Sequence, residues 1–320
     1  MKTIEELKAF YNGELMADIQ RLENQRKDSC SKVIRNSVIV LGVALVFVFF
    51  VLSTISFDSD FFFYFIFTVM GGIGMVYWFG TRAYTSEFKQ QIIARLVEFI
   101  DPALNYDKDS CISQALYAQS KLFTQGVDSY QGDDLVLGRI GQTEIQFSEL
   151  HTQYITRDSK GRSTHHTIFK GLFFAADFNK HFQGRTIVLP DTAEKLLGGL
   201  GKFLQSQNFS RGQLVKMDDP EFEKEFVVYG TDQIEARYIL TSSLMERILN
   251  FQKKTKNKIH LSFVNSKVFI AISFAKNLFE PKIFETLLNF APIEEYFNDL
   301  SVAIGIVEDL NLNLRIWTKE

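Results

Sequence analysis

Hydrophobic and polar residues follow three rhythms along this chain. Between Ser37 and Gly80 the pattern is almost unbroken hydrocarbon, interrupted at Asp58, Ser59 and Asp60. Ser37–Phe57 and Phe61–Gly80 contain no charged residue, and each has the twenty or so positions that a helix rising about 1.5 Å per residue needs to span a hydrocarbon layer of roughly 30 Å. Two carboxylates at the centre of one buried helix are expensive, whereas at a turn in water they cost little. The pattern therefore predicts a helical hairpin that crosses a membrane twice, 37–57 and 61–80, within a segment 37–81. A secretory signal is a poor fit, because the apolar run starts far from Met1, is too long and is followed at once by a second run.

On either side the rhythm is helical. In residues 3–35, Ile4, Leu7, Tyr11, Leu15, Ile19 and Leu22 form a stripe between charges, predicting an amphipathic helix over 1–36. Its acidic and basic residues nearly balance, which argues for packing on a partner helix and against purely electrostatic lipid binding. The partner is expected in "TSEFKQQIIARLVEFIDP", with a cap at Ser86, a stripe from Phe88 to Ile100 and a stop at Pro102. A short helix in "SCISQALYAQSKLF" completes a region of connecting helices over 82–126.

From about residue 133 the rhythm changes to alternation, within a predicted cytoplasmic α+β domain over 127–320. Strands are expected at 135–140, 143–155, 167–178, 185–191, 225–230, 258–265 and 267–274, with a tight turn at Asn265-Ser266. "TAEKLLGGLGKFLQ" reads as a helix. "TDQIEARYILTSSLMERILNFQKK" carries two capping-box signatures, Asp232 with Glu235 and Ser243 with Glu246. The C-terminal stretch repeats apolar residues at helical spacing from Tyr296 to Trp317, although "LNLNLRIW" also alternates like a strand. The predicted class is α+β, an antiparallel sheet with inserted helices and a C-terminal helix. Seven strands followed by a helix is also the element count of a pleckstrin-homology-like barrel.

Composition changes this picture in three ways. Ten of the 32 phenylalanines lie in the apolar block, so the remainder must build a strongly aromatic core elsewhere. A net charge of -3 gives no basic face for phosphate-backbone binding, and no nucleic-acid partner is expected. The two cysteines, Cys30 and Cys111, make no disulfide framework and read as reduced thiols. Lys2, Lys8, Arg21, Arg26, Lys27, Lys32 and Arg35 precede the hairpin, Arg82, Lys89 and Arg95 follow it, and its turn has no Lys or Arg, so both ends are expected in the cytoplasm. Thr68, Gly71, Gly72 and Gly74 suit close helix packing, within the hairpin or between copies, better than a conduction path, which would use ionisable groups.

The usual chemical signatures are missing: no GxxxxGK[ST] phosphate loop, GxSxG elbow, HExxH helix or paired CxxC occurs. "GGLG" at 198–201 lies inside a helical pattern, so it reads as packing and not as a phosphate cradle. The most conspicuous polar stretch is "TRDSKGRSTHHT", where Arg157, Lys160, Arg162, His165 and His166 gather in a hairpin loop. These five are the candidate residues for a ligand or an anionic surface. Adjacent histidines on a strand face opposite ways, which disfavours metal chelation by that pair. Asp218, Asp219, Glu221, Glu223 and Glu225 suggest a cation site, but Asp219-Pro220 with early glutamates is also how a helix begins. His151, His181 and His260 have no evident nucleophile or acid beside them. No cofactor, metal or catalytic residue is assigned.

The runs "KGLFFAADFNKHFQGRTIVLPD" and "DPEFEKEFVVYGTDQIEARYILTSSLMERI", with the final "LNLRIW", resemble bacterial membrane proteins grouped as the domain of unknown function 3137, sometimes labelled galanin-like. The resemblance covers roughly residues 165–317. It implies a membrane hairpin ahead of the domain and a bacterial inner membrane, and it carries no established activity and no active-site positions. The expected function is a membrane-anchored binding or scaffold module acting on membrane lipids and on a protein partner or a second copy. The alternatives are a membrane-tethered enzyme with a site assembled from scattered residues, and a subunit of an oligomeric membrane complex.

Overall fold

The computed structural model describes residues 2–54, 59–178, 180–191 and 212–313. These fall into two compact units. A helical unit holds Lys2–Arg95 and Phe279–Tyr296, and a sheet unit holds Leu96–Leu278 and the chain from Phe297 onward.

The helical unit begins with α1 (Ile4–Phe10), whose Thr3 cap and Glu6 side chain form a reciprocal capping box. After a π-helical turn at Tyr11–Leu15 it runs on as α2 (Met16–Thr54). The returning helix α3 (Ser59–Phe88) passes through a second π-turn at Lys89–Ile93 into α4 (Ala94–Ile100). Ser86 is therefore inside a continuous helix and caps nothing. Among the described residues two helices are long and apolar enough to cross a membrane, and almost none of their apolar stretch is buried within the protein. Val38, Phe49, Phe50, Phe63, Phe67 and Phe79 are all exposed. Most of the turn between the helices lies outside the described residues.

Beyond the apolar stretch the two helices continue as a packed stalk. Leu7, Leu15, Ile19 and Leu22 of the amphipathic stripe are fully buried, as are Phe88, Ile92 and Ile93. Arg95 ties the pair together, donating to Asp18 at 2.5 Å with Phe10 beneath its guanidinium. Nearer the apolar stretch, a methyl group on Gly80 would come within 2.6 Å of the Val33 side chain, so the helices touch there because residue 80 has no Cβ. Of the predicted packing glycines, Gly72 faces Val40 at 3.5 Å, whereas Gly71 and Gly74 face open space.

Among the described residues the sheet unit has nine antiparallel strands: β1 (Leu104–Asp107), β2 (Ser129–Ile140), β3 (Thr143–Arg157), β4 (Ser163–Asp177), β5 (Arg185–Pro190), β6 (Gln213–Val215), β7 (Phe226–Gly230), β8 (Ile259–Val264) and β9 (Lys267–Ser273). Their order is β1-β2-β3-β4-β9-β8-β5-β7-β6. The α+β class and the antiparallel sheet are those expected from the sequence, with nine strands in place of seven. The two additions are short: β1 lies in the region read as connecting helices, and β6 has three residues. Strands of three or four residues give too little alternation to read.

Local chemistry explains the helices between strands. Gln114–Gln119 (α5) is capped by Ser113 and places Tyr117 over the sheet. Pro220–Glu225 (α6) starts at the Asp219 cap with proline at its first turn, as predicted. Gln233–Ile239 (α7) is capped by Asp232, but Glu235 does not complete the box; its carboxylate accepts from the Gln183 and Gly184 amides instead. Ser242–Thr255 (α8) is capped by Thr241 and not by Ser243. The C-terminal helix α9 (Phe290–Asp309) starts earlier and ends earlier than its apolar spacing implies. Residues 314–320 and the predicted helix at 192–205, with its glycine run, lie outside the described residues. On one face of the sheet Phe169, Phe173, Ile187, Phe269 and Leu150 pack with Ile112, Tyr117 and Leu122, an aromatic core of the kind the phenylalanine count demands. Both cysteines are free thiols.

Candidate functional site

Strands β3 and β4 are longer than their neighbours. Pairing to β2 stops at Ser129 opposite Gln153, and pairing to β9 stops at Ser273 opposite Gly171. Beyond those points Tyr154–Arg157 and Ser163–His166 are matched in the registered ladder only with one another, from Tyr154 opposite His166 to Arg157 opposite Ser163. The result is a two-stranded arm extending past the sheet. Four residues of strand at about 3.3 Å each make it roughly 13 Å long before the loop. The exposure along β4 follows from this: Leu172 to Ala176 are buried whichever face they point to, and Ser163, Thr164 and His165 are exposed.

An isolated hairpin is marginally stable, so the arm needs supports. At its base the Asp128 carboxylate accepts from the Ile155 amide at 2.7 Å, in place of the strand that β2 no longer supplies. Along its length the His166 ring stacks on Tyr154 at 4.7 Å, and its Nε2 lies 2.8 Å from Thr156 Oγ1. At the tip Asp158 Oδ1 accepts from the amides of Lys160 and Arg162, at 2.9 and 2.8 Å, while Gly161 takes a positive φ of 76°. These contacts close a compact turn from the chain's own polar groups.

The five residues singled out in the sequence therefore share one arm but not one face. His166 lies on the side of Tyr154 and Thr156, and His165, opposite Ile155, lies on the other, as expected for adjacent strand positions. Arg157 belongs to the His165 side. Lys160 and Arg162 lie at the turn, and Arg162 is exposed with only a loose 3.8 Å approach to Asp158. Such an arrangement presents cations around a tip and does not converge them on one small ligand. Sequence reasoning missed the supports, Asp128, Tyr154, Thr156 and Asp158. A neighbouring aromatic and a Ser/Thr/Asp-rich loop were visible signals, but only strand register brings them against the histidine.

At the base of the arm, on the sheet itself, an open cavity of about 350 Å³ is lined by Asp133, Glu149, His151, Lys170 and Asn277 among others. Glu149 is buried and accepts from the Leu278 amide at 2.9 Å. His151 Nε2 lies 3.3 Å from Thr167 Oγ1, and burial, with the Lys170 charge adding to it, pushes its imidazole below the ordinary value. These bonds fasten strand to strand and loop to strand. The remaining sequence candidates are dispersed in the same way. Asp219 caps α6, Glu223 accepts from the Met217 amide, Glu221 pairs with Lys253 and Glu225 accepts from Gln252. His181 is exposed, and the His260 ring lies near Phe123.

Elsewhere the ionisable groups serve the core. The Tyr117 hydroxyl bonds Thr152 at 3.0 Å, and burial raises its phenol to about 12 despite that bond. Burial, then the charge of Asp133, raises the Cys111 thiol, which keeps it protonated and unreactive.

The two long apolar helices and the sheet unit together describe a membrane-associated α+β protein. Residues 167–312 match the family model described as Protein of unknown function (DUF3137), the family the sequence runs resemble. No curated protein matches the chain. Among solved structures, the mycobacterial trehalose monomycolate transport factor A, TtfA, is similar at 12% sequence identity and a TM-score of 0.32, over 71% of this chain and 97% of that one. That score is too low to define a shared fold.

Proposed function

We propose that this protein is a membrane-anchored binding module, held at the cytoplasmic face of a bacterial inner membrane by the α2–α3 hairpin, and that the β3–β4 arm is its contact with an anionic surface. The observation that carries this reading is the arm: a supported ribbon reaching beyond the sheet with Arg157, Lys160, Arg162 and His165 exposed around it. Near a negative leaflet each of the three Arg and Lys side chains contributes about 1 kcal/mol, provided it lies within a Debye length of roughly 8 Å. The hairpin tethers the sheet unit to the bilayer, which raises its local concentration there without any new contact. The excess of Lys and Arg flanking the apolar helices supports cytoplasmic termini. Gly71 and Gly74, open on α3, leave room for a second copy or a partner helix.

The test is amide exchange of residues 154–167 in full-length protein, in nanodiscs of pure phosphatidylcholine and in nanodiscs with a third phosphatidylglycerol. Exchange should slow with the anionic lipid, and the effect should vanish in Arg157→Glu/Lys160→Glu/Arg162→Glu. Equal exchange in both lipids would overturn the assignment of the arm.

A further inference from the structure

Within the helical unit, the segment 279–289 lies along the stalk with its apolar residues divided. Ile283 and Leu287 point inward and are buried, and Phe284 and Leu288 are 66% and 49% exposed. The register of the segment on α2 is fixed by polar bonds. Arg26 donates to the Ile283 carbonyl at 2.7 Å, Glu23 accepts from the Leu287 amide at 3.3 Å, and the Tyr11 hydroxyl donates to the Leu287 carbonyl at 3.2 Å. Of these contacts the one at Ile283 lies nearest the apolar stretch of α2, and Phe284 is the next residue.

The distance from there to the membrane follows from helix geometry. Arg26 and Arg35, the last charge before the apolar stretch, are nine positions apart, roughly 14 Å along the axis. The polar headgroup layer fills roughly 5–8 Å of that on each side of the bilayer. What remains is about the reach of one aromatic side chain. Phenylalanine has a large apolar surface with no polar atom to hydrate, and Leu288 adds to the apolar surface that the loop leaves exposed. The charges nearby do not oppose approach to a negative leaflet. Lys27 is exposed beside Arg26, and Glu285 is paired with Lys282 at 3.3 Å.

We infer that the 279–289 loop is a second membrane contact, with Phe284 seated in the headgroup layer of the bilayer that α2 and α3 cross. This deepens the anchor reading and rests on it. The loop would make the stalk stand at a fixed height, because the Arg26 and Glu23 bonds hold it to α2 while Phe284 holds it to the lipid.

The test uses full-length protein in nanodiscs of phosphatidylethanolamine and phosphatidylglycerol. Phe284→Cys, with Cys30 and Cys111 replaced by serine, carries an environment-sensitive nitrobenzoxadiazole label. In a parallel sample with Trp317→Phe, Trp78 reports on the hairpin. A label emission shifted to the blue, and quenched at least twofold more by headgroup-nitroxide lipid than by lipid spin-labelled deep in the chain, is expected, with Trp78 quenched by either lipid. An unquenched label beside a quenched Trp78 overturns the loop contact and leaves the anchor standing. An unquenched Trp78 overturns the anchor reading and the loop contact with it.

Discussion

Replacing Glu23 with alanine should release residues 279–289 from the helical unit. Glu23 is 2% exposed and accepts from Arg26 Nε at 2.8 Å, Arg26 Nη2 at 2.7 Å and the Leu287 amide at 3.3 Å. A hydrogen bond to a charged partner contributes about 1.5–3 kcal/mol, and breaking a buried ion pair by deleting one member costs about 3–5 kcal/mol, since the other charge is left without compensation. The 3.8 Å approach of Lys27 adds little, because that side chain is in water. Taking the lower bound of about 3 kcal/mol, local opening becomes about 150-fold more frequent at 1.36 kcal/mol per decade. Amide exchange of 283–289, measured by mass spectrometry in detergent, reads this directly. Glu23→Leu/Arg26→Met, which removes both charges at similar bulk, should recover most of the protection. Exchange in Glu23→Ala within threefold of the parent would refute the argument that this pair holds the loop.

The same pair sets a pH dependence. The bonds from Arg26 hold the Glu23 carboxyl below its ordinary value of 4.5, so the folded form binds its proton less readily than the unfolded form. Its contribution is therefore complete above about pH 4.5 and is lost as pH falls through the depressed folded value, which a thermal-shift series from pH 7 to 3 will show as a falling Tm. Gly171→Ala should prevent folding of the sheet unit, because a Cβ there would lie 2.1 Å from the Ile272 carbonyl oxygen at a φ of 145°; soluble yield and near-ultraviolet circular dichroism report it. Ser266→Gly should stabilise by about 0.5–1 kcal/mol, since Asn265 and Ser266 both take positive φ in the β8–β9 turn, and urea midpoints would show the gain.

The sequence by itself determined whatever depends on local pattern. Two uncharged runs define the apolar helices, the stripe from Leu7 to Leu22 defines a buried helix face, and alternation finds seven of the nine described strands, six of them to within four residues, while β2 starts six residues earlier than expected. Asp219-Pro220 and Asn265-Ser266 specify a helix start and a turn, because cap and turn geometries act over four residues. Even the exposed polar loop at 157–166 was legible, since charge without apolar periodicity has no core to enter.

Tertiary structure alone decided where those pieces meet. Ser86 has the chemistry of a cap yet sits within a helix, because packing against α2 keeps the helix continuous through it. Ser243 loses the capping role to Thr241, and Glu235 turns from its own helix to the Gly184 amide, because a side chain satisfies whichever donor the fold brings nearest. The arm exists because β2 and β9 stop short of its tip, a fact of register and not of any residue's propensity. Its supports, Asp128 to Ile155 and Tyr154 to His166, join positions that only strand pairing makes neighbours. The loop at 279–289, which carries no periodic signal, is placed by Glu23 and Arg26 more than two hundred and fifty residues away in the chain. Pattern is a property of neighbours in sequence, and contact is a property of neighbours in space.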